Sequence, residues 1–119
     1  MERAKRASLV WAVPATRDFD SIFEFLSRTG QRRALAFVRV IQSATERLEY
    51  DPEIGPLADD IEHGGTCRAL ACPPHRIVYR HVGNVVFILR IWDSRRNPDD
   101  LTLPPDAEVA RHRDADEEN

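Results

Sequence analysis

The spacing of apolar residues changes period twice along this chain, from strand to helix and back again. Leu9 to Val13 form a short apolar run closed by Pro14, which cannot donate to a β-ladder and suits a helix start, so a strand is predicted there. From Ala15 the period becomes helical. Phe19, Ile22, Phe23 and Leu26 lie at i, i+3, i+4 and i+7, and Gly30 supplies a stop. A second helix is predicted between Gln31 and Glu49, where Ala34, Val38, Ile41 and Leu48 recur at helical spacing. Phe37 and Ala44 widen that stripe, and arginines fill the other side. So short a link makes the two helices an antiparallel hairpin.

Asp51, Pro52, Gly55 and Pro56 end the helical pattern, and residues 57–65 read as a surface loop. Three strands follow, at about 66–71, 75–82 and 86–92, with connections too short for a crossover helix. They must therefore form an antiparallel meander. The predicted fold class is α+β: an N-terminal strand, a two-helix antiparallel hairpin, then a three-stranded antiparallel meander in one sheet.

The last two strands raise a question, because HRIVYRHVGNVVFILRIWDSRRNP threads five arginines through the most apolar part of the chain. A two-residue Gly83-Asn84 turn would pair Arg76 with Ile91 and drive arginines beneath the helices, where unpaired charge costs several kcal/mol. A three-residue loop, Gly83 to Val85, instead gathers Ile77, Tyr79, Phe87, Leu89 and Ile91 on the helix face. The opposite face then carries Arg76, Arg80 and Arg90 among Val78, Val82, Ile88 and Trp92. With both helices used on the first face, this second one is expected to be open and ready for a partner.

Composition adds limits. At 119 residues and 42% hydrophobic content, the chain suits one domain. The net charge of −3 is unevenly spread: residues 104–119 contribute −4, and residues 1–103 hold 15 basic and 14 acidic side chains. This divides the chain into a domain over 1–103 and an acidic tail over 104–119 that is expected to be disordered. A near-neutral body argues against indiscriminate nucleic-acid binding. No 18-residue apolar run exists, which implies a soluble, cytoplasmic protein without a membrane segment. Cys67 and Cys72 lack metal or redox spacing and read as reduced thiols. His63, His75 and His81 are not spaced as a metal set, so no metal or cofactor is expected.

The order of elements, with CRAL at 67–70, HRIVYR at 75–80 and VVFILRIWDSRRNP at 85–98, resembles the RelE/ParE superfamily of bacterial type II toxin–antitoxin toxins, often called plasmid stabilisation proteins. The likeness runs from about Leu9 to Leu101. It implies a toxin neutralised by a cognate antitoxin, with one of two targets. RelE-like members are ribosome-dependent ribonucleases that cut mRNA, and their pattern maps a phosphate-stabilising pair onto Arg68 and Arg76. Their Tyr or His near the end of the last strand is replaced here by Trp92-Asp93-Ser94, leaving Asp93 as the available base. ParE-like members inhibit growth by binding DNA gyrase. The missing proton-transfer residue, the near-neutral body and a single lysine, Lys5, favour the ParE-like reading. Under it, Arg76, Arg80, Arg90, Trp92, Arg95 and Arg96 form the partner-binding set, with gyrase met around Trp92 to Arg96. The alternatives are a ribosome-dependent endoribonuclease using Arg68, Arg76 and Asp93, and a non-toxic relative that only binds the antitoxin.

Overall fold

A computed structural model of the chain describes residues 6–61 and 66–104. Strand β1 covers Ser8–Trp11, helix α1 Val13–Thr29 and helix α2 Gln31–Tyr50, followed by strands β2 (Arg68–Cys72), β3 (His75–Val82) and β4 (Val85–Asp93). Pro14 stands in the first turn of α1, where its missing N–H costs nothing. Gly30 ends α1 and starts α2 with φ 157° and ψ 134°, a backbone conformation open to glycine. The expected order of elements, and the α+β class, are those observed. His63 and residues 105–119, and with them nearly all of the expected tail, lie outside the described residues.

The four strands form one sheet in the order β1-β4-β3-β2, with β1 parallel to β4 and the other pairs antiparallel. The helical hairpin covers one face. Ala34, Phe37, Ile41, Ala44 and Leu48 of α2 are buried there with Leu70, Ile77, Tyr79, Val86, Ile88 and Ile91 of the sheet, and Phe19, Ile22 and Leu26 of α1 pack against them. Tyr79 is fully buried, and its hydroxyl accepts the Gly55 N–H at 3.0 Å. That bond satisfies a backbone donor in the loop after α2, at a point where a Cβ on residue 55 would come within about 3.0 Å of the Ala69 backbone and the Tyr79 ring, so glycine is required there. Among the described residues no helix is long and apolar enough to cross a membrane.

The β3–β4 register corrects the expected one. The turn is the two-residue Gly83-Asn84 form, with Val82 opposite Val85 and Gly83 at φ 59°. The one-residue shift that keeps arginine out from under the helices is made further along, by a β-bulge. Val78 faces Arg90, Tyr79 faces Ile88, and Leu89 is the extra residue. Val86 and Ile88 therefore join Ile77, Tyr79 and Ile91 beneath the helices, whereas Phe87 and Leu89 turn to the other face. Both solutions place Arg76 opposite Trp92 rather than Ile91; they differ only in where the slip is absorbed.

Candidate functional site

The second face of the sheet is not open. Ala58 and Ile61 from the loop before β2, and Leu101 and Leu103 from the segment after β4, close over Val78, Phe87, Leu89 and Trp92 in a second hydrophobic cluster. Trp92 is 2% exposed. The expectation of a bare, arginine-studded surface fails for a simple reason. A sheet with large apolar side chains on both faces needs cover on both, and the two loops supply it on the second.

The arginines of that face are engaged within the chain. Arg76 pairs with Asp60 at 2.8 Å. Arg80 Nη2 lies 3.4 Å from Cys67 Sγ. Arg90, at the bulge, reaches around the sheet edge: its Nε and Nη2 donate to the two carboxylate oxygens of Asp18 on α1 at 2.7 and 3.0 Å, and its Nη1 donates to Thr102 O at 2.7 Å. Asp18 also accepts the Ile91 N–H at 3.0 Å, capping the edge of β4 beyond the reach of β1. One guanidinium thus joins the helical hairpin, the bulged strand and the C-terminal segment. Asp18 carried no signal in the sequence, since a lone acid on the polar side of a helix says nothing about a partner 72 positions away.

Arg68, Arg76 and Asp93 are kept apart. Arg68 stands opposite Tyr79 on the helix face and donates to Gly55 O at 2.8 Å, whereas Arg76 stands opposite Trp92 on the other face. Side chains on opposite sides of a sheet do not meet at one phosphate. Asp93, at the end of β4, accepts from Nε and Nη2 of Arg95 at 2.9 and 2.7 Å, and the same arginine with its backbone N–H holds the carboxyl well below its ordinary range. Arg76 does the same to Asp60. Because the folded values are depressed, the unfolded chain takes up protons first as pH falls. The stability from these pairs is therefore present above the ordinary carboxylate value of 3.8 and is lost as pH drops through the folded values. The thermal midpoint is expected to fall between roughly pH 5 and pH 2, and Asp93→Asn should flatten part of that slope. An unchanged slope in this variant would show that the Asp93–Arg95 pair does not persist in solution.

What the fold does assemble is a groove at the exit of β4. Ser21, Ile22, Phe25 and Leu26 of α1 form one wall, and Pro74, His75, Ile91 and Asp93 the other, with Asp18, Arg95 and Arg96 at the end, around a volume of about 500 Å³. Past Pro74 and His75 it continues into a second hollow lined by Arg33, Phe37, Val40 and Ile41 of α2 and by Cys72. Phe25 is 63% exposed although it is an aromatic residue on a helix that packs against the sheet. The periodicity of α1 counted Phe23 in the core stripe, yet Phe23 is also largely outside it, and Phe25 went unnoticed because it lies off the stripe. Arg96 stacks over the Trp92 ring at 4.2 Å, so buried Trp92 serves as a platform for an exposed cation. Burial pushes the His75 pKa down from its ordinary value, favouring the neutral ring, which lies in edge contact with Phe37.

Of the predicted partner-binding residues, the structure brings Arg95 and Arg96 to the surface of this groove. Trp92 and Arg90 lie behind it, beneath Arg96 and against Asp18, whereas Arg76 and Arg80 are engaged with Asp60 and Cys67 on the second face of the sheet. A strand, a two-helix antiparallel hairpin and a three-stranded meander joined in one sheet are the architecture that the resemblance to the RelE/ParE toxin superfamily implied.

Comparison with known proteins narrows the class. The family described as ParE toxin of type II toxin–antitoxin system, parDE, matches residues 9–98. Toxin ParE3 of Caulobacter vibrioides is 33% identical over 85 residues, which is 71% of this chain and 83% of the relative. A chain from a structure of the chromosomal ParDE toxin–antitoxin system of P. aeruginosa superposes with a TM-score of 0.61 at 23% identity, covering 76% of this chain and 98% of that one. The chain belongs to the ParE toxin family of type II toxin–antitoxin systems.

Proposed function

We propose that this ParE-family toxin arrests growth by binding DNA gyrase, and that a cognate antitoxin neutralises it by occupying the groove at the β4 exit. The observation that supports this reading is the exposed Arg95-Arg96 pair set on an apolar groove that carries an uncovered Phe25. Such a site fits an amphipathic segment with acidic flanks: apolar side chains cover Phe25, Leu26 and Pro74 while carboxylates meet the guanidinium groups. The gyrase contact lies on the same arginine pair. Neutralisation is then steric, because a segment that fills the groove covers the residues the target needs. Both partners are cytoplasmic in this reading, as is the toxin.

The separation of Arg68 from Arg76 across the sheet also weighs against the nuclease alternative, which needs both on one phosphate. The test is a supercoiling assay with purified gyrase. The native chain should block supercoiling, and an Arg95→Gln/Arg96→Gln variant should need at least about tenfold more protein, about 1.4 kcal/mol of lost binding. Its thermal midpoint should fall only by the small amount that the solvent-screened Asp93–Arg95 pair contributes. If growth stops while supercoiling is untouched, and new mRNA 5′ ends appear that depend on Arg76, the ribonuclease reading replaces this one. If neither growth nor supercoiling responds, the chain is a non-toxic relative that binds only the antitoxin.

A further inference from the structure

The sheet has two edges, and the chain treats them differently. At the β2 edge the loop after α2 is laid along the strand: Leu57 bridges to Arg68, the Ala58 N–H donates to Cys67 O at 2.9 Å, and the Ala69 N–H donates to Pro56 O at 2.9 Å. That edge is blunted against further pairing. β1, at the opposite edge, has no such cover among the described residues. Its register with β4 runs from Ser8 to Trp11 without a bulge, and no residue from Ala7 to Thr16 is charged. Arg6, just before this stretch, is neutralised by Glu49. The charges, bulges and covering loops that normally keep an exposed strand from pairing are all missing here.

The backbone groups left over on β1 follow from its ladder. The N–H groups of Ser8 and Ala12 donate to Asn84 O and Ile88 O at 2.9 Å each, and alternation turns that of Val10 the same way. Leu9 and Trp11 therefore direct their N–H and C=O groups away from the sheet. Their side chains rest on the helix face and that of Val10 on the second face, and all three are only half-buried.

A second copy of the same strand, running antiparallel, fits this edge in phase. With a two-fold axis at Val10, Leu9 of each chain falls opposite Trp11 of the other, and both members of each pair point outward. Each pair exchanges two N–H···O bonds, so all the outward groups of Leu9 and Trp11 are satisfied. On the helix face leucine then packs against tryptophan, and on the other face valine meets valine, both favourable cross-strand pairs. One uncharged patch serves both chains, as an isologous interface requires. An axis perpendicular to the sheet also keeps both helical layers on the same side.

We propose that the chain self-associates through β1, two copies joining their four-stranded sheets into one. No residue lining the groove at the β4 exit lies on β1, so the pairing leaves that groove free in both copies. Dimerisation by this route is independent of which target the groove meets. A four-residue pairing buries less than the roughly 1,200 Å² at which stable interfaces begin. The dimer is accordingly weak, with a Kd on the order of 0.1 mM.

Sedimentation velocity on the full chain tests this, with monomer expected at about 5 µM and mostly dimer at about 1 mM. Over the same range hydrogen exchange at the Leu9 and Trp11 amides should slow at least about threefold, whereas the Ser8 and Val10 amides, already bonded to β4, should change little. Leu9→Pro removes an outward N–H that β4 does not use. This variant should keep its circular dichroism spectrum and stay monomeric at about 1 mM; if it does not fold, the exchange pattern of the native chain decides. A native chain that remains monomeric, a dimer whose Leu9 and Trp11 amides exchange as fast as in the monomer, or a folded Leu9→Pro variant that still dimerises would each overturn the proposal. Slowing of these two amides only when an antitoxin segment is added would do the same, and would assign the edge to a partner's strand.

Discussion

Replacing Asp18 by alanine is expected to lower the free energy of unfolding by about 3 kcal/mol, the lower end of the range for breaking a buried ion pair. Asp18 and Arg90 have side chains only 17% and 14% exposed, so solvent screens them little. The substitution leaves a guanidinium without its carboxylate and the Ile91 N–H without its acceptor. Asp18→Asn, which keeps an acceptor but loses the charge, should cost about half as much. The double variant Asp18→Ala/Arg90→Met should recover much of the loss, because an apolar side chain tolerates the site better than an orphaned charge. Urea denaturation of the native chain, these three variants and Arg90→Met alone completes the cycle. A single-variant cost below about 1 kcal/mol would mean that the link between α1, the bulge and the C-terminal segment is not held in solution.

Trp92→Ala is expected to cost about 4 kcal/mol, in the range for truncating a buried aromatic residue. Trp92 is 2% exposed beneath Leu101 and the loop before β2, and it supports Arg96 from below. Trp92→Phe should cost only about 1 kcal/mol, as it retains most of the apolar volume. Its buried indole nitrogen has no hydrogen-bond partner among the described residues, so removing it sacrifices no bond to them. Thermal and urea unfolding distinguish the pair. A cost near 1 kcal/mol for the alanine variant would show that the second face is as open as the sequence suggested, and would return Trp92 to the list of contact residues.

These two experiments address the part of the structure that the sequence did not disclose. The helical stripe of Ala34, Phe37, Ile41, Ala44 and Leu48 was legible because helix periodicity is local, and so were the limits set by Gly30 and Pro14. The family likeness was legible from the arginine-rich hairpin. Its interpretation was not. The same arginines that suggested an open surface turned out to hold the fold together, with Arg76 on Asp60 and Arg90 on Asp18. A guanidinium on a strand reads identically in sequence whether it meets a partner or a carboxylate of its own chain.

The amino-acid sequence by itself determined the order and kind of the elements, the antiparallel meander and the face of each helix that is buried. These follow from periods of 2 and 3.6 residues and from short connections, all of which are properties of neighbouring positions. The tertiary structure alone decided that β1 lies parallel beside β4, that the register slip falls at Leu89, and that residues 57–61 and 98–104 seal the second face. Alternation fixes which residues share a side only up to the next bulge. Where that bulge sits depends on long-range partners such as Asp18, whose carboxylate holds the strand edge and the bulged arginine together.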